Sequence, residues 1–307
     1  MKIGIVSPSA PSTQTKQRKK QFNLGLKTLK SLGFDYQLSS HTKNFLHYLS
    51  DTPQNRLKDL HQMYQDKTID LIVAANGGWN SNQLLSRLNF NLIKKNPKPL
   101  VGFSDITILL NAIFAKTGLS QIHGPMVTWG FDKNNKVTNQ SFLGILIKRK
   151  QIFSLPSFGS FLKKGQLKGV LVGGNLTSLE TLIGTPYEPD WQRKIFFWEV
   201  TEKTIWNLDR VLTHFKNAGV WEKIKGMIIG NLNKINNKFC AKKIDVLKMI
   251  KNHFADYNFP ILKTDLFGHN TPSNISIPVG GKIEISAEGG SASGGKNKKV
   301  VFYNHVS

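Results

Sequence analysis

The first 118 residues alternate between strand-length runs and longer amphipathic ones, and that rhythm restricts the chain to very few folds. "KIGIVSP", "FDYQLS", "IDLIVAANGG" and "PLVGF" have the length and composition of strands. Between them lie a helical segment from about Thr15 to Leu32, closed by Gly33, then "NRLKDLHQMYQD", with Leu57, Leu60 and Tyr64 near helix spacing. "SNQLLSRL" starts another helix, and "DITILLNAIFAKTG" ends at Gly118, a residue suited to a left-handed C-cap. Strands alternating with helices imply a mostly parallel sheet covered on both faces. The expectation is an α/β protein whose residues 1–131 form a Rossmann-like, doubly wound domain.

The second half changes character. Residues 132–165 are polar and basic and read as a linker with room for one helix. Residues 166–307 read as a β-rich α/β domain. Its strands are "GVLVGGN", "KIFFWEV", "KGMIIGNL", "FPILKT", "NISIPVGGKIEISAE" (broken at Pro278 and Gly280–Gly281) and "KVVFYN", with helices at about Thr204–Ala218 and Lys242–Ala255. "GSASGGKN", from Gly290 to Asn297, approximates a phosphate-binding loop, but Asn297 stands where Ser or Thr is required and a strand follows, so it reads as a hairpin loop.

Charge raises the question of nucleic acid. There are 42 Lys+Arg against 19 Asp+Glu, a net charge of +23. The basic residues are spread along the chain, however. Their densest runs, Lys16–Lys20, Lys148–Lys150 and Lys296–Lys299, have no zinc-finger, RRM or KH pattern beside them. A nucleic-acid partner is therefore disfavoured but remains the competing class. The single cysteine, Cys240, excludes an internal disulfide and fits a reducing cytoplasm. No apolar stretch is long enough to span a bilayer. No G-x-G-x-x-G follows the first strand, and the eight histidines are scattered, so neither a dinucleotide cofactor nor a metal is expected.

The polar pair Ser104–Asp105 interrupts the apolar passage from Leu100 to Leu110. Buried polar side chains are costly without partners. Two readings compete. The pair caps the following helix, or Ser104 is a nucleophile on a sharp strand-to-helix turn, with free helix-terminal N–H groups beside it. The usual G-x-S-x-G pattern fails because Ile106 occupies the second glycine position. The preceding strand also ends in a special turn, at Gly77 and Gly78, which can offer backbone N–H groups to a ligand. A nucleophilic serine needs a base and an orienting acceptor. His269, in the loop "LFGHNTPSN", and Glu199, at the end of the apolar strand "IFFWE", are the candidates. His123 in "QIHGPM" is a candidate pocket residue. Against these stand a salt bridge for Glu199, to a lysine or Arg210, and a plain turn for the Gly-Gly pair.

Taken together, these motifs resemble the LD-carboxypeptidases and microcin C immunity proteins, a family of serine peptidases. The resemblance is carried by "VSPSAPS", "NGGWNSNQLL", "PLVGFSDITILLNAI", "HGPM", "GVLVGGNLTSLETLIGTPYEPDW", "FFWEV" with "LDRVLTHF", and "FGHNTPSNISIPVG". It implies a Ser104–His269–Glu199 triad, an oxyanion hole from the N–H groups of Gly78 and Asp105, an active site between two domains, and a homodimer. One branch removes a terminal D-alanine from muropeptide tetrapeptides. The other cleaves an aminoacyl group from a nucleotide-like sulfamoyl or phosphoramidate moiety. "NSN" after the Gly-Gly turn resembles the immunity branch more closely. Trp79 in place of a smaller or tyrosine-like residue, and "FFWEV" without a following acid, depart from the family pattern. The expected substrate is thus a small molecule or short peptide, held by Gly77, Trp79, His123, Asn175 and Trp191. Trp79, Trp191 and Trp198 are candidates for stacking on a base, with core packing the better reading of Trp198.

Overall fold

The computed structural model describes residues 1–237, 240, 243–287 and 298–304. The hairpin-loop reading of Gly290–Asn297 lies outside the described residues. Two sheets organise the chain. The first contains β1 (Lys2–Val6), β2 (Asp35–Leu38), β3 (Leu71–Ala74), β4 (Leu100–Gly102) and β5 (Gln121–His123), all parallel. Every residue of β3, β4 and β5 is buried. This is the near-continuous apolar pattern of strands covered on both faces. The flanking helices start where their caps dictate. Thr15 accepts from the Arg18 N–H to open Lys16–Ser31, and Thr52 with Pro53 opens Pro53–Gln65. Connections leave β1 toward β2 on one side and β3 on the other. That reversal is the switch point beside which α/β sheets bind ligands.

The second sheet has eight strands. In chain order they are β6 (Lys150–Ser154), β7 (Ser160–Lys163), β8 (Lys168–Asn175), β9 (Ile195–Thr201), β10 (Gly226–Asn233) and β11 (Ile261–Lys263), then β13 (Lys282–Ala287) and β14 (Lys298–Tyr303). β8 to β11 form a parallel centre, and antiparallel strands extend it at both edges. The remaining strand, β12 (Ile277–Val279), leaves this half of the chain and pairs antiparallel with β5 in the first sheet.

Two sequence expectations need correction here. Residues 132–165 are not merely a linker: they carry a helix at Lys136–Leu146 and two strands, β6 and β7, that form opposite edges of the second sheet. The division at residue 166 is also crossed by β12, which completes the first sheet from within the second half. β6 and β7 are short edge strands of mixed burial with little apolar periodicity, and β12 is only three residues long, so neither feature is visible in the pattern. "SNQLLSRL" forms a 3-10 helix, Ser81–Arg87, rather than an α-helix.

The sheets are joined through the helix Thr107–Thr117. Its first seven residues are all buried, because sheets lie on both sides of it. It ends on Gly118 at φ 76, as the sequence suggests. Asn111 donates from Nδ2 to the Gly173 carbonyl (2.8 Å) and accepts the Gly173 N–H at Oδ1 (3.1 Å). The Asn175 N–H donates to Thr107 Oγ1 at 3.0 Å. This approach requires glycine. Gly174 has φ 141, and a Cβ there would stand 2.5 Å from the Thr107 side chain. Replacing Asn111 by Leu leaves the Gly173 N–H and C=O buried and unpaired. The expected loss of stability is roughly 2–4 kcal/mol, read as a lower urea midpoint at unchanged m-value. An unchanged midpoint means that the junction does not hold the sheets together.

Candidate active site

Ser104 follows β4 at the carboxyl end of the first sheet. Its φ is 60, a conformation that non-glycine residues adopt at a few per cent of positions and often at functional turns. Neither side chain of the Ser104–Asp105 pair caps the helix: Phe103 and Ile106 are the N-cap residues, without side-chain capping bonds. The hydroxyl is aimed elsewhere. His269 Nε2 lies 3.1 Å from Ser104 Oγ, and His269 Nδ1 lies 2.8 Å from Glu199 Oε2. A serine, an imidazole and a carboxylate therefore form one continuous hydrogen-bonded series, assembled from both sheets.

Each member is held by its surroundings. Glu199, in β9, is wholly buried. Its Oε1 accepts from Asn175 Nδ2 at 2.8 Å, and Oε2 also accepts the backbone N–H of His269 at 3.2 Å. Burial raises its pKa, but the charge and hydrogen bond of His269, with the Asn175 bond, hold it below the usual range. The His269 loop passes close over Glu199 because residue 268 is glycine: φ is 117, and a Cβ would come within 2.9 Å of Glu199 Cβ. Asn231 Nδ2 donates to the His269 carbonyl at 2.7 Å, fixing the loop to β10. Phe103 packs edge-on against the imidazole at 5.1 Å. Burial pulls the His269 pKa down, yet Glu199, through charge and hydrogen bond, and the charge of Glu202 outweigh it and raise the value.

The Gly77–Gly78 turn lies against Ser104. A Cβ on Gly77 would stand 3.0 Å from Ser104 Cβ. Gly78, at φ 153, nests against Ser9 and Ala10, and the Ala10 N–H donates to the Gly77 carbonyl at 3.0 Å. Behind this turn sits a polar network that was not apparent in the sequence. Asp105 Oδ2 accepts from Ser9 Oγ (2.5 Å) and from the Ser81 N–H (2.8 Å), and the Asp105 carbonyl accepts from Ser81 Oγ. Burial raises the Asp105 pKa, opposed by those hydrogen bonds and by the charge of Arg56. Arg56 itself is 1% exposed and donates to the carbonyls of Pro8 and Asn80 and to Gln83 Oε1. In the sequence it sits in an unremarkable amphipathic helix, and nothing local marks it.

The other candidates separate. Trp79 adjoins Gly78 and is 76% exposed. His123 is wholly buried in β5, ringed by Phe103, Phe197 and Phe267, and neither ring nitrogen has a hydrogen-bond partner. Burial drives its pKa down to about 4, so it stays neutral at physiological pH. Asn175 is committed to Glu199 and, through Oδ1, to capping the helix Leu176–Glu180. Trp191 is 2% exposed, packs on Phe196 and Phe215, and donates to Glu188. The structure therefore brings Gly77, Gly78 and Trp79 to the Ser104 turn and does not bring Trp191. His123 and Asn175 support the site from beneath. Trp198 is wholly buried, as the apolar strand around it suggests. Among the described residues, no group of three or more His, Cys, Asp or Glu is arranged to hold a metal, and no helix is long and apolar enough to cross a membrane.

Comparison with known proteins accords with this geometry. Residues 3–124 match the LD-carboxypeptidase N-terminal domain, and residues 168–285 match the LD-carboxypeptidase C-terminal domain. The probable murein peptide carboxypeptidase of Bacillus subtilis (strain 168) is 30% identical over 294 residues, spanning 92% of this chain and 88% of that protein. The microcin C7 self-immunity protein MccF of Escherichia coli is 28% identical over 314 residues, spanning 92% and 90% respectively. The structure of MccF in complex with glutamyl sulfamoyl guanosine superposes with a TM-score of 0.86 at 26% identity, covering 99% of this chain and 96% of that one. A two-sheet α/β architecture, matched along both halves, identifies this chain as a hydrolase of the LD-carboxypeptidase family of serine peptidases.

Proposed function

We propose that the chain hydrolyses an amide-type bond through an acyl-enzyme on Ser104. The reading rests on the unbroken series from Ser104 Oγ to His269 to Glu199. Ser104 Oγ attacks the substrate carbonyl while His269 Nε2 accepts its proton. The N–H groups of Gly78 and Asp105 receive the oxyanion, each donor typically worth about 10²–10³-fold in rate. His269 then passes the proton to the leaving nitrogen, the C–N bond breaks, and water, deprotonated by the same imidazole, releases the acyl group. Glu199 stays ionised and fixes the imidazole tautomer.

For the substrate we favour an aminoacyl group joined to a nucleotide-like sulfamoyl or phosphoramidate moiety. "NSN" at Asn80–Asn82 and the exposed Trp79 beside the oxyanion turn support it. The resemblance to a murein peptide carboxypeptidase supports the second reading, removal of D-alanine from a muropeptide tetrapeptide.

Three outcomes test the proposal. Ser104→Ala and His269→Ala are expected to lower kcat by about 10⁴–10⁶-fold with thermal unfolding little changed; near-native turnover in either variant overturns the triad. Because Glu199 raises the His269 pKa and only the neutral imidazole acts as base, kcat/KM rises with pH through that raised pKa. Glu199→Gln removes the supporting charge, so the acid limb moves to lower pH while kcat falls by up to about 10⁴-fold; an unmoved limb assigns the titration to another group. Finally, aspartyl sulfamoyl adenosine and an L,D-linked tetrapeptide are compared side by side. Trp79→Ala is expected to raise KM for the nucleotide conjugate roughly tenfold, the value of one base stacked on an aromatic ring. Turnover of the tetrapeptide alone gives the second reading.

A further inference from the structure

A cavity lies at the end of the second sheet opposite to Glu199, and its chemistry is unlike that of the Ser104 site. It has a volume of about 840 Å³. Its walls come from the start of β8, the loop entering β9, the residue before β10, the start of β13 and the end of β14. Since β8 runs from Lys168 to Asn175, the strand rise puts this cavity roughly 20 Å from the Glu199–Asn175 pair. Five cations line it, Lys168, Arg193, Lys194, Lys225 and Lys282, against one carboxylate, Glu284.

Two of the cations are already engaged. Lys168 pairs with Glu284 at 2.9 Å, and Lys194 Nζ with Asp190 at 3.1 Å. Arg193, Lys225 and Lys282 have no acidic partner among the described residues. The backbone that carries two of them is tied down. The Arg193 N–H donates to the Lys223 carbonyl (2.8 Å) and the Lys225 N–H to the Lys194 carbonyl (2.9 Å), which ties the two loops together. Arg193 adopts φ 56, a conformation kept only where the surroundings dictate it. Gly169 leaves room for the Lys225 side chain, whose Nζ lies 3.2 Å from where a Cβ would stand. Like charges gathered in one concavity repel each other and focus a field that attracts anions. The lining also supplies the neutral donors Gln166 and Gln192, and Val170, Ile283 and the Tyr303 ring are its apolar members.

We propose that this cavity binds a small condensed phosphate, two or more linked phosphate groups as in pyrophosphate or a nucleoside polyphosphate. Three unpaired cations in one cavity match a ligand carrying several charges within a few ångströms. The concave shape, with a volume in the range of small-ligand sites, suits a compact anion better than an extended nucleic-acid backbone.

The test is calorimetric titration of the full chain, at two salt concentrations, with inorganic phosphate, pyrophosphate, tripolyphosphate, ATP and a single-stranded oligonucleotide. Pyrophosphate or tripolyphosphate is expected to bind at least about tenfold tighter than phosphate, since each charge-assisted contact adds to the others. ATP binding as tightly as tripolyphosphate points to the nucleotide source of the shared group, and weaker ATP binding to the free condensed phosphate. The triple variant Arg193→Ala/Lys225→Ala/Lys282→Ala should lose at least about tenfold in affinity, with Ser104-dependent hydrolysis unchanged. The control Lys16→Ala/Lys19→Ala/Lys20→Ala removes the same charge from an exposed helix and should change affinity less than about twofold. Equal weakening in both variants, phosphate binding as tightly as pyrophosphate, or no binding at millimolar ligand overturns the proposal. An oligonucleotide that binds tighter than tripolyphosphate and competes with it also overturns it.

Discussion

The contact on which the site depends is the junction between the helix Thr107–Thr117 and β8. Ser104 follows a strand of one sheet and Glu199 lies in the other, so His269 can reach both at hydrogen-bond distance only if the sheets meet in one register. The two-way bond between Asn111 and the Gly173 backbone, with Thr107 receiving the Asn175 N–H, sets that register. All three hydrogen bonds use backbone groups of a strand end that would otherwise be buried without partners, so slippage leaves them unsatisfied at a cost of about 1–3 kcal/mol each. Glycine at 173 and 174 is the steric condition. A Cβ on Gly173 would fall 1.8 Å from the Phe197 carbonyl oxygen, and one on Gly174 would press on Thr107.

The same junction bears on electrostatics. Glu199 is wholly buried in an apolar strand, a costly place for a charge unless it is fully paired. Its carboxylate receives the His269 ring, the His269 backbone and Asn175, and Asn175 is held in turn by Thr107 through its own N–H. The residues that make the carboxylate tolerable thus also position it. His123 completes the arrangement by contributing no charge. Its burial lowers its pKa, whereas Glu199 raises that of His269, so the two imidazoles are separated and His269 is the one tuned to take up a proton. Packing of His123 on Phe103, and of Phe103 on His269, gives the imidazole a rigid wall without a second titrating partner.

How much of this was legible in the sequence follows from how local each cause is. Ser104, Gly77 and Gly78 stand out because strand-then-turn chemistry is local, and polar residues beside long apolar runs are conspicuous. Glu199 and His269 were nameable, the first as a carboxylate ending "IFFW", the second as a histidine in a glycine-flanked loop. Arg56 and Ser9 were not, because their hydrogen bonds go to groups distant in the chain, Arg56 to the carbonyls of Pro8 and Asn80 and to Gln83, Ser9 to the Asp105 carboxylate. Trp191 was misplaced for the complementary reason: an aromatic residue near a motif looks the same whether it faces ligand or core, and only packing on Phe196 and Phe215 decides. The parallel centre of the second sheet was hidden by its edges. Four antiparallel strands surround β8–β11, and short strands separated by glycine and proline read as hairpins.

The departure from G-x-S-x-G at Ile106 shows how a rule can fail locally while its physical purpose is met. Glycines flank a serine elbow so that the strained turn and the close helix can be accommodated. Here Gly102 makes the necessary space on the strand side: a Cβ there would stand 2.8 Å from Ile106 Cγ2. Ile106 fills the volume that Gly102 vacates and is itself wholly buried. The exchange places a large apolar side chain under the turn, and Ser104 retains φ 60 on a packed base. The second glycine is dispensable once the first provides the clearance. What such a turn needs is room beneath the serine, and either neighbour can supply it.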